Sequence, residues 1–457
     1  MAATAAIVGG LVLGACNPKQ ELLSPQQPGV VSPTAVNSPT AADAVYVGAL
    51  NRLKQSMNGG GNNTEALWNW EALFTDELRS SDTFSQRNDA DQRNTQSNDT
   101  VLLPIYNAVQ QARGRARDAI NAELAFNNTA AGKTHVGEMY MAMGYEEEQL
   151  AEAFCNGISL GETVGGVPQY TAQLSGVDVS KTAITRFDSA LTFLTGTDAA
   201  TIAVKNAVLI AKGRAQVNAG DFAGAAATVA SVPTGFNYNF DYSQTTSDNE
   251  WWIMGFSVKR YDPGDSISFA NTPINNAIPF ARLNDPRVVV VDLKTKAEDV
   301  ISPYLDIQNY GRDDPVPALS GIDARLIEAE AKLQAKDIAG MMTIVNALRT
   351  SAQTLGTFKV AAMAALPTPP DQASATKLFF REKALWQFER GWRMGDLRRL
   401  VRQYGFTQDQ VYPTGQFARN TSPSGNYGTE VAFPIPDAGL GSEISNPNFH
   451  GCLDTKA

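Results

Sequence analysis

Residues 206–226, NAVLIAKGRAQVNAGDFAGAA, read as two short helices meeting at a Gly-Asp turn. Gly213 is small enough to admit a second helix, and Gly220-Asp221-Phe222 followed by Ala225 reverses the chain. The same intervals return over a hundred residues later with Ala329, Asp337-Ile338 and Met341, inside IDARLIEAEAKLQAKDIAGMMTIVNALR, residues 322–349. Copies so far apart are not a tandem array. They predict a mainly α-helical body of helix pairs with long insertions.

Working outward, residues 134–155 carry Val136, Met139, Tyr140 and Met143 at helical spacing, followed by Leu150 and Phe154. That pattern predicts an amphipathic helix with Glu146, Glu147 and Glu148 on its solvated side. Glycine-rich turns stop it within residues 157–166. Residues 233–320, rich in Pro, Asn, Asp and aromatics, predict a loop-rich insertion with a few short strands. Such length without periodicity is uncommon unless it is functional. Residues 379–400, FFREKALWQFERGWRMGDLRRL, belong to a helix with Leu378, Leu385, Phe388 and Trp392 on its apolar face. Along it, Glu389 can pair with Arg393, and Asp396 with Arg393 or Arg399, as structural ion pairs.

Residues 5–15 are an apolar, small-residue run far shorter than the roughly 20 residues of a membrane-spanning helix. The run ends in Leu13-Gly14-Ala15-Cys16, which resembles a bacterial lipobox, although no Lys or Arg precedes it. Residues 1–15 are therefore expected to be a lipoprotein signal peptide and Cys16 the lipidated first mature residue. Pro18, Pro25, Pro28, Pro33 and Pro39 make residues 16–40 an extended tether. Residues 41–457 then form the folded domain. Acyl chains supply about 0.8 kcal/mol per buried methylene, enough in number to hold such a domain on a membrane surface.

The chain has 457 residues, 43% hydrophobic, with a net charge of −10, which disfavours nucleic acid because phosphates would be repelled. Three cysteines, at 16, 155 and 452, are too few for a disulfide scaffold and lack zinc-site spacing. Cys155, on an apolar helix, reads as a buried hydrophobe; pairing with Cys452 in an oxidising compartment is the alternative. The only histidines are His135 and His450, which argues against a His-dependent enzyme. Gly157-Ile158-Ser159-Leu160-Gly161 fits a nucleophile-elbow pattern, but helix precedes it where a strand is needed. Gly59-Gly60-Gly61 lacks the Lys of a phosphate loop. Asp313-Asp314 and the acids of residues 262–265 lack calcium-loop spacing. No catalytic residue, metal or cofactor is expected.

Several of these segments resemble, in order, the SusD/RagB family. Residues 137–168, GEMYMAMGYEEEQLAEAFCNGISLGETVGGVP, resemble a family helix running into its turn. Residues 206–226 and 322–349 resemble the next helix pairs, the latter with Glu328, Ala329, Glu330, Asn346 and Arg349. Residues 379–400 are similar to the most specific family helix, with Arg381, Glu382, Glu389, Arg393, Asp396, Leu397 and Arg399. FPIPDAGLGSEISNPNF, residues 433–449, completes the set with Pro434, Ile435, Pro436, Glu443, Asn446, Pro447 and Asn448. Arg390 and the ending Phe449-His450-Gly451-Cys452 depart from the family pattern. The resemblance implies a SusD-like body of four tetratricopeptide-like helix pairs. It also implies an outer-membrane lipoprotein that faces the cell exterior, serves a SusC-like TonB-dependent transporter, and captures a glycan or a peptide.

Sugar rings pair apolar faces with polar edges, so a sugar site wants exposed aromatics beside Asp, Asn or Arg. Trp70, Asp76 and Arg79 offer that mixture in one region, and Trp252 and Tyr261 in another. Two alternatives are a tetratricopeptide-like adaptor gripping a protein partner and an extracellular glycan hydrolase.

Overall fold

The computed structural model describes residues 36–60, 65–164, 167–417, 425–436 and 451–457. Cys16, nearly all of the tether, Gly61, the Glu443 to Asn448 motif residues and His450 lie outside the described residues.

Helix α1 (Pro39–Asn58) begins two residues before the expected start of the folded domain at residue 41. Pro39 does not break it because proline suits the first helical position, where its missing N–H had no partner in any case. The Ser38 side chain accepts the Ala41 N–H at 3.3 Å as its cap. After α2 (Leu67–Phe74), β1 (Leu78–Ser80) and α3 (Ser85–Asp91), two long helices, α4 (Leu102–Phe126) and α5 (Ala130–Ala153), pack on each other and on α1. The hairpin β2 (Glu162–Val164) and β3 (Val167–Gln169) leads to α6 (Gly176–Phe193), α7 (Ala199–Asn218) and α8 (Phe222–Val229).

The insertion then runs through β4 (Asn237–Phe240), a short helical turn at residues 250–257, β5 (Tyr261–Pro263), β6 (Ile274–Asn275), β7 (Val290–Lys296), β8 (Pro303–Ile307) and β9 (Val316–Ser320). Antiparallel pairing of β4 with β9 closes it at its base, so the chain returns where it left. The body resumes with α9 (Gly321–Gln334), α10 (Ile338–Arg349), the hairpin β10 (Gln353–Leu355) and β11 (Phe358–Val360), α11 (Gln372–Trp386) and α12 (Arg393–Tyr404). β12 (Thr414–Phe417) pairs with β13 (Gly425–Asn426) and with β6. The expected mainly α-helical body with a loop-rich, short-stranded insertion is what forms. No described helix is long and apolar enough to cross a membrane.

The internal repeat is a real structural repeat. Asp221 caps α8 by accepting the Gly224 N–H at 2.9 Å, and Asp337 caps α10 by accepting the Gly340 N–H at 2.8 Å. The backbone turns match bond for bond: Asp221 N donates to Gln216 O and Asp337 N to Lys332 O. Gly220 and Lys336 occupy the same left-handed position, with φ of 88° and 61°. A Cβ on Gly213 would lie 2.6 Å from Val229 Cγ1, so only glycine lets α7 and α8 approach this closely.

Three expectations need correction. Glu146, Glu147 and Glu148 are 0%, 0% and 1% exposed, not solvated. Helix α5 is enclosed by α1, α4, α6, α7 and α12, so no side of its last turns faces water. Glu147 is met by Arg113 at 3.1 Å and Arg186 at 3.4 Å, and Glu148 by the Asn218 amide. Burial pushes the Glu148 carboxyl up to about 7 and the Glu146 carboxyl well above its ordinary value.

Second, residues 379–400 are not one helix. The chain breaks at Glu389 and Gly391, with φ of 61° and 65°, so Glu389 and Arg393 do not pair along a helix face. The Arg393 Nε instead donates to Thr75 O at 2.9 Å, and Asp396 pairs with Arg399 at 2.6 Å. The break makes room for an indole: a Cβ on Gly391 would lie 2.1 Å from Trp68 Cδ1. Third, Cys155 and Cys452 form a disulfide, tying the end of α5 to the C-terminal segment.

Candidate functional site

The two aromatic regions singled out in the sequence meet in space. β1 and β5 pair antiparallel with Arg79 opposite Asp262 and Ser80 opposite Tyr261. Asp262 anchors this junction by accepting the Ser81 hydroxyl and the Leu305 N–H, the latter at 2.8 Å. Asp265, its neighbour in sequence, pairs with Arg282 at 2.6 Å, so these acids are structural loop residues.

Most of the expected contact residues are interior. Trp70 is 0% exposed, with its indole N–H donated to Glu65 at 2.9 Å and its ring edge-on to Phe433, so it offers no stacking face. Asp76 is buried at a φ of 57° and accepts the Tyr427 hydroxyl at 3.1 Å; burial and then Asp91 raise its carboxyl well above the usual range. Tyr261 is buried too, because its strand lies beneath the junction. The expectation of open sugar platforms at Trp70 and Tyr261 therefore does not hold. Trp70 on helix α2 and Tyr261 on strand β5 both pack into the hydrophobic core, where burying each ring contributes about 1.5–3 kcal/mol. Arg79 is half-buried, its guanidinium 4.2 Å from the Phe269 ring centre. It lines a cleft with Asp76, Asp91, Asp265 and Tyr427. The water-accessible volume there is about 20 Å³, room for a water or two but not a sugar ring.

Trp252 behaves differently. It is half-buried and stacks on Phe256, ring centres 5.9 Å apart at 27°. Residues Ile253–Ser257 form a π-helical turn, in which Val258 N donates to Ile253 O at 2.9 Å. Widened turns of this kind are frequent at functional sites. Phe256 is 45% exposed, so the pair presents an aromatic face to solvent. Polar groups flank it: the Arg312 guanidinium lies 5.1 Å from the Trp252 ring centre and pairs with Asp248 at 2.8 Å. Gln244 donates to Asp313 at 3.2 Å nearby in sequence. The turn between β7 and β8, with Val300 and Ile301 exposed, is fastened to the same junction by Glu298 N donating to Lys259 O and Asp299 N to Ser81 O. The sequence reading missed Phe256 and Arg312. Phe256 had a signal, four residues after Trp252 and hence on the same helical face; Arg312 had none, since only the fold brings it there.

Ser159 of the nucleophile-elbow pattern is buried, 3.3 Å from the Thr171 hydroxyl, and stands between helix α5 and hairpin β2–β3. That is not the strand-to-helix corner an activated serine requires.

Beside the junction, burial holds the Glu77 carboxyl up to about 8. The unfolded carboxyl titrates near 4.5, so between about pH 5 and 8 the folded state binds more protons and stability falls as pH rises. Urea unfolding is expected to show a more stable wild type at pH 5.5 than at pH 8. Glu77→Gln, permanently neutral, is expected to gain on wild type by up to about 3 kcal/mol as the pH rises from 5.5 to 8. A pH-independent difference between the two would contradict this assignment.

This is a helix-pair scaffold with a strand-and-loop insertion that carries an open aromatic face at Phe256. No family model matches the sequence, and no curated protein matches it. Solved structures do match. A SusD-like protein from Bacteroides fragilis NCTC 9343 is 12% identical with a TM-score of 0.63, over 93% of this chain and 98% of that one. A SusD superfamily protein from Bacteroides vulgatus ATCC 8482 is 16% identical with a TM-score of 0.62, over 92% and 99%. A SusD-like carbohydrate binding protein from the same organism is 14% identical with a TM-score of 0.60, over 91% and 98%. The chain has the SusD-like fold along nearly its whole length.

Proposed function

We propose that this chain is a cell-surface lipoprotein, anchored in the outer membrane through Cys16, that captures a glycan and passes it to a SusC-like TonB-dependent transporter. The observation that carries the reading is the exposed Trp252–Phe256 stack with Arg312 and Asp248 beside it. Stacked rings accept the apolar face of a sugar while the ion pair meets its hydroxyls. The Cys155–Cys452 disulfide supports residence in an oxidising compartment, as export to the cell surface requires. Binding without turnover accords with a chain holding two histidines.

The test is a glycan array and a peptide array probed with the purified protein, followed by titration of the best ligand. A glycan is expected to bind, and Trp252→Ala with Phe256→Ala to weaken it at least tenfold, about 1.4 kcal/mol, without changing the unfolding midpoint. Retention of peptides alone, or unchanged glycan affinity in the double variant, would overturn the reading. Co-purification of a TonB-dependent transporter from native membranes tests the delivery step.

A further inference from the structure

Three helices each bring one metal-ligating side chain to a single point. Asp43 of α1, Glu123 of α4 and His135 of α5 hold their ligand atoms within 4.8 Å of one another. His135 Nδ1 lies 3.1 Å from Glu123 Oε1 and 3.3 Å from Asp43 Oδ1. A neutral imidazole has one hydrogen at most to offer from that nitrogen, yet two carboxylates face it. The spacing is close to that of a shared ion: tetrahedral bonds of about 2.0–2.2 Å to Zn²⁺ place neighbouring ligand atoms roughly 3.3–3.6 Å apart.

A second observation is independent of that spacing. The Glu123 side chain is 0% exposed, and its Oε2 accepts no hydrogen bond among the described residues. A buried carboxylate with an open oxygen is costly unless a cation meets it. Asp43 is 47% exposed and gives a hydrated ion a way in. The ligands are also held from behind. The Asn127 side-chain amide donates to Asp43 Oδ1 at 3.0 Å, and the Tyr46 ring stacks on the imidazole at 3.9 Å and 12°.

We propose that Asp43, Glu123 and His135 bind a divalent transition metal of the Zn²⁺ class, with water completing its shell, and that the ion clamps α1 onto the α4–α5 pair. One imidazole with two carboxylates favours Zn²⁺ over Ca²⁺, which prefers six to eight oxygens. The clamp acts at the first helix of the body, fixing α1 to α4 and α5.

The test uses the protein without a histidine tag and Zn²⁺ alone, followed by calorimetry and by long-range ¹H–¹⁵N spectra of the imidazoles. With two histidines in the chain, His450 serves as the internal reference. One equivalent of Zn²⁺ is expected to convert the His135 Nδ1 resonance to its metal-bound position, leave His450 unmoved and raise the melting temperature. Asp43→Asn is expected to weaken binding at least tenfold while leaving the metal-free melting temperature unchanged, and His135→Ala to abolish it. Zn²⁺ binding that neither substitution alters would overturn the proposal. So would an Nδ1 that stays unmetallated at saturating Zn²⁺, marking a histidine merely hydrogen-bonded between carboxylates, or a preference for Ca²⁺.

Discussion

Cys452→Ala is expected to lower the unfolding free energy by up to about 5 kcal/mol, the largest loss of any single substitution considered for this fold. The Cys155–Cys452 bond closes 297 residues of chain. By loop-closure entropy a cross-link of that span removes about 5–6 kcal/mol of freedom from the unfolded chain, an upper value because the unfolded state retains structure. The bond also fixes what it joins. Beside it, Leu453 N donates to Asn156 O at 2.7 Å, Asn156 Nδ2 to Asp454 at 2.7 Å, and Gln173 Nε2 to Gly451 O at 2.6 Å. These contacts hold the tail only while the covalent link keeps it near. Urea unfolding with and without reductant checks the expectation. Wild type in reductant should fall to the level of Cys452→Ala, the variant should ignore reductant, and adding Cys155→Ala should cost little more. Equal midpoints for wild type in both conditions would mean the tail is held by its hydrogen bonds alone.

The helix pairs were legible because their signals are local. The Asp caps at 221 and 337, and the glycines three residues after each, are chemistry between near neighbours. The pairing of Cys155 with Cys452 was open to the sequence only as an alternative, since nothing local links positions so far apart. Glu146 to Glu148 were misread for a related reason. Periodicity tells which side of a helix is polar, but not whether a second layer of helices covers that side, as α6, α7 and α12 do here. Arg113 and Arg186, which compensate Glu147, come from helices on either side of α5 in the chain. The aromatic regions show the same limit from the other direction. Composition found both segments that meet at the β1–β5 ladder, yet tryptophan is equally at home in core and site, so Trp70 and Trp252 could not be told apart before the packing was known. Arg390, a departure from the family pattern, became intelligible only in place: it pairs with Asp323 at 2.5 Å and donates to Pro317 O at 2.8 Å, bracing the start of α9.

Arg399→Met is expected to cost about 3–5 kcal/mol, because it strips one of two cations from a buried ion-pair network. The Arg399 guanidinium, 1% exposed, meets Glu330 of α9 at 3.0 Å and Asp396 of α12 at 2.6 Å. It also donates to the Asn218 side chain of α7 at 2.9 Å. Lys383 of α11 closes the square, 2.9 Å from Glu330 and 2.7 Å from Asp396. Burial by itself would raise the Asp396 carboxyl, but Lys383 and Arg399 overcome it and hold that group below the usual carboxylate range. Two cations therefore balance two anions away from bulk solvent. After Arg399→Met, one buried lysine faces two carboxylates, and a charge is left uncompensated in low dielectric. The size of the loss comes from that orphaned charge rather than from the pair's intrinsic attraction, and this separates two outcomes. If so, Asp396→Asn added to Arg399→Met should recover a large part of the stability, since the neutral amide no longer needs a cation. Arg399→Lys, which keeps the charge but not the planar fork, should fall between wild type and Arg399→Met. Urea unfolding of these four proteins, and of Asp396→Asn alone, at pH 7 decides the matter. Losses that simply add, with the double variant less stable than either single one, would mean that packing and hydrogen-bond geometry, not charge balance, set the value of the network that joins α7, α9, α11 and α12.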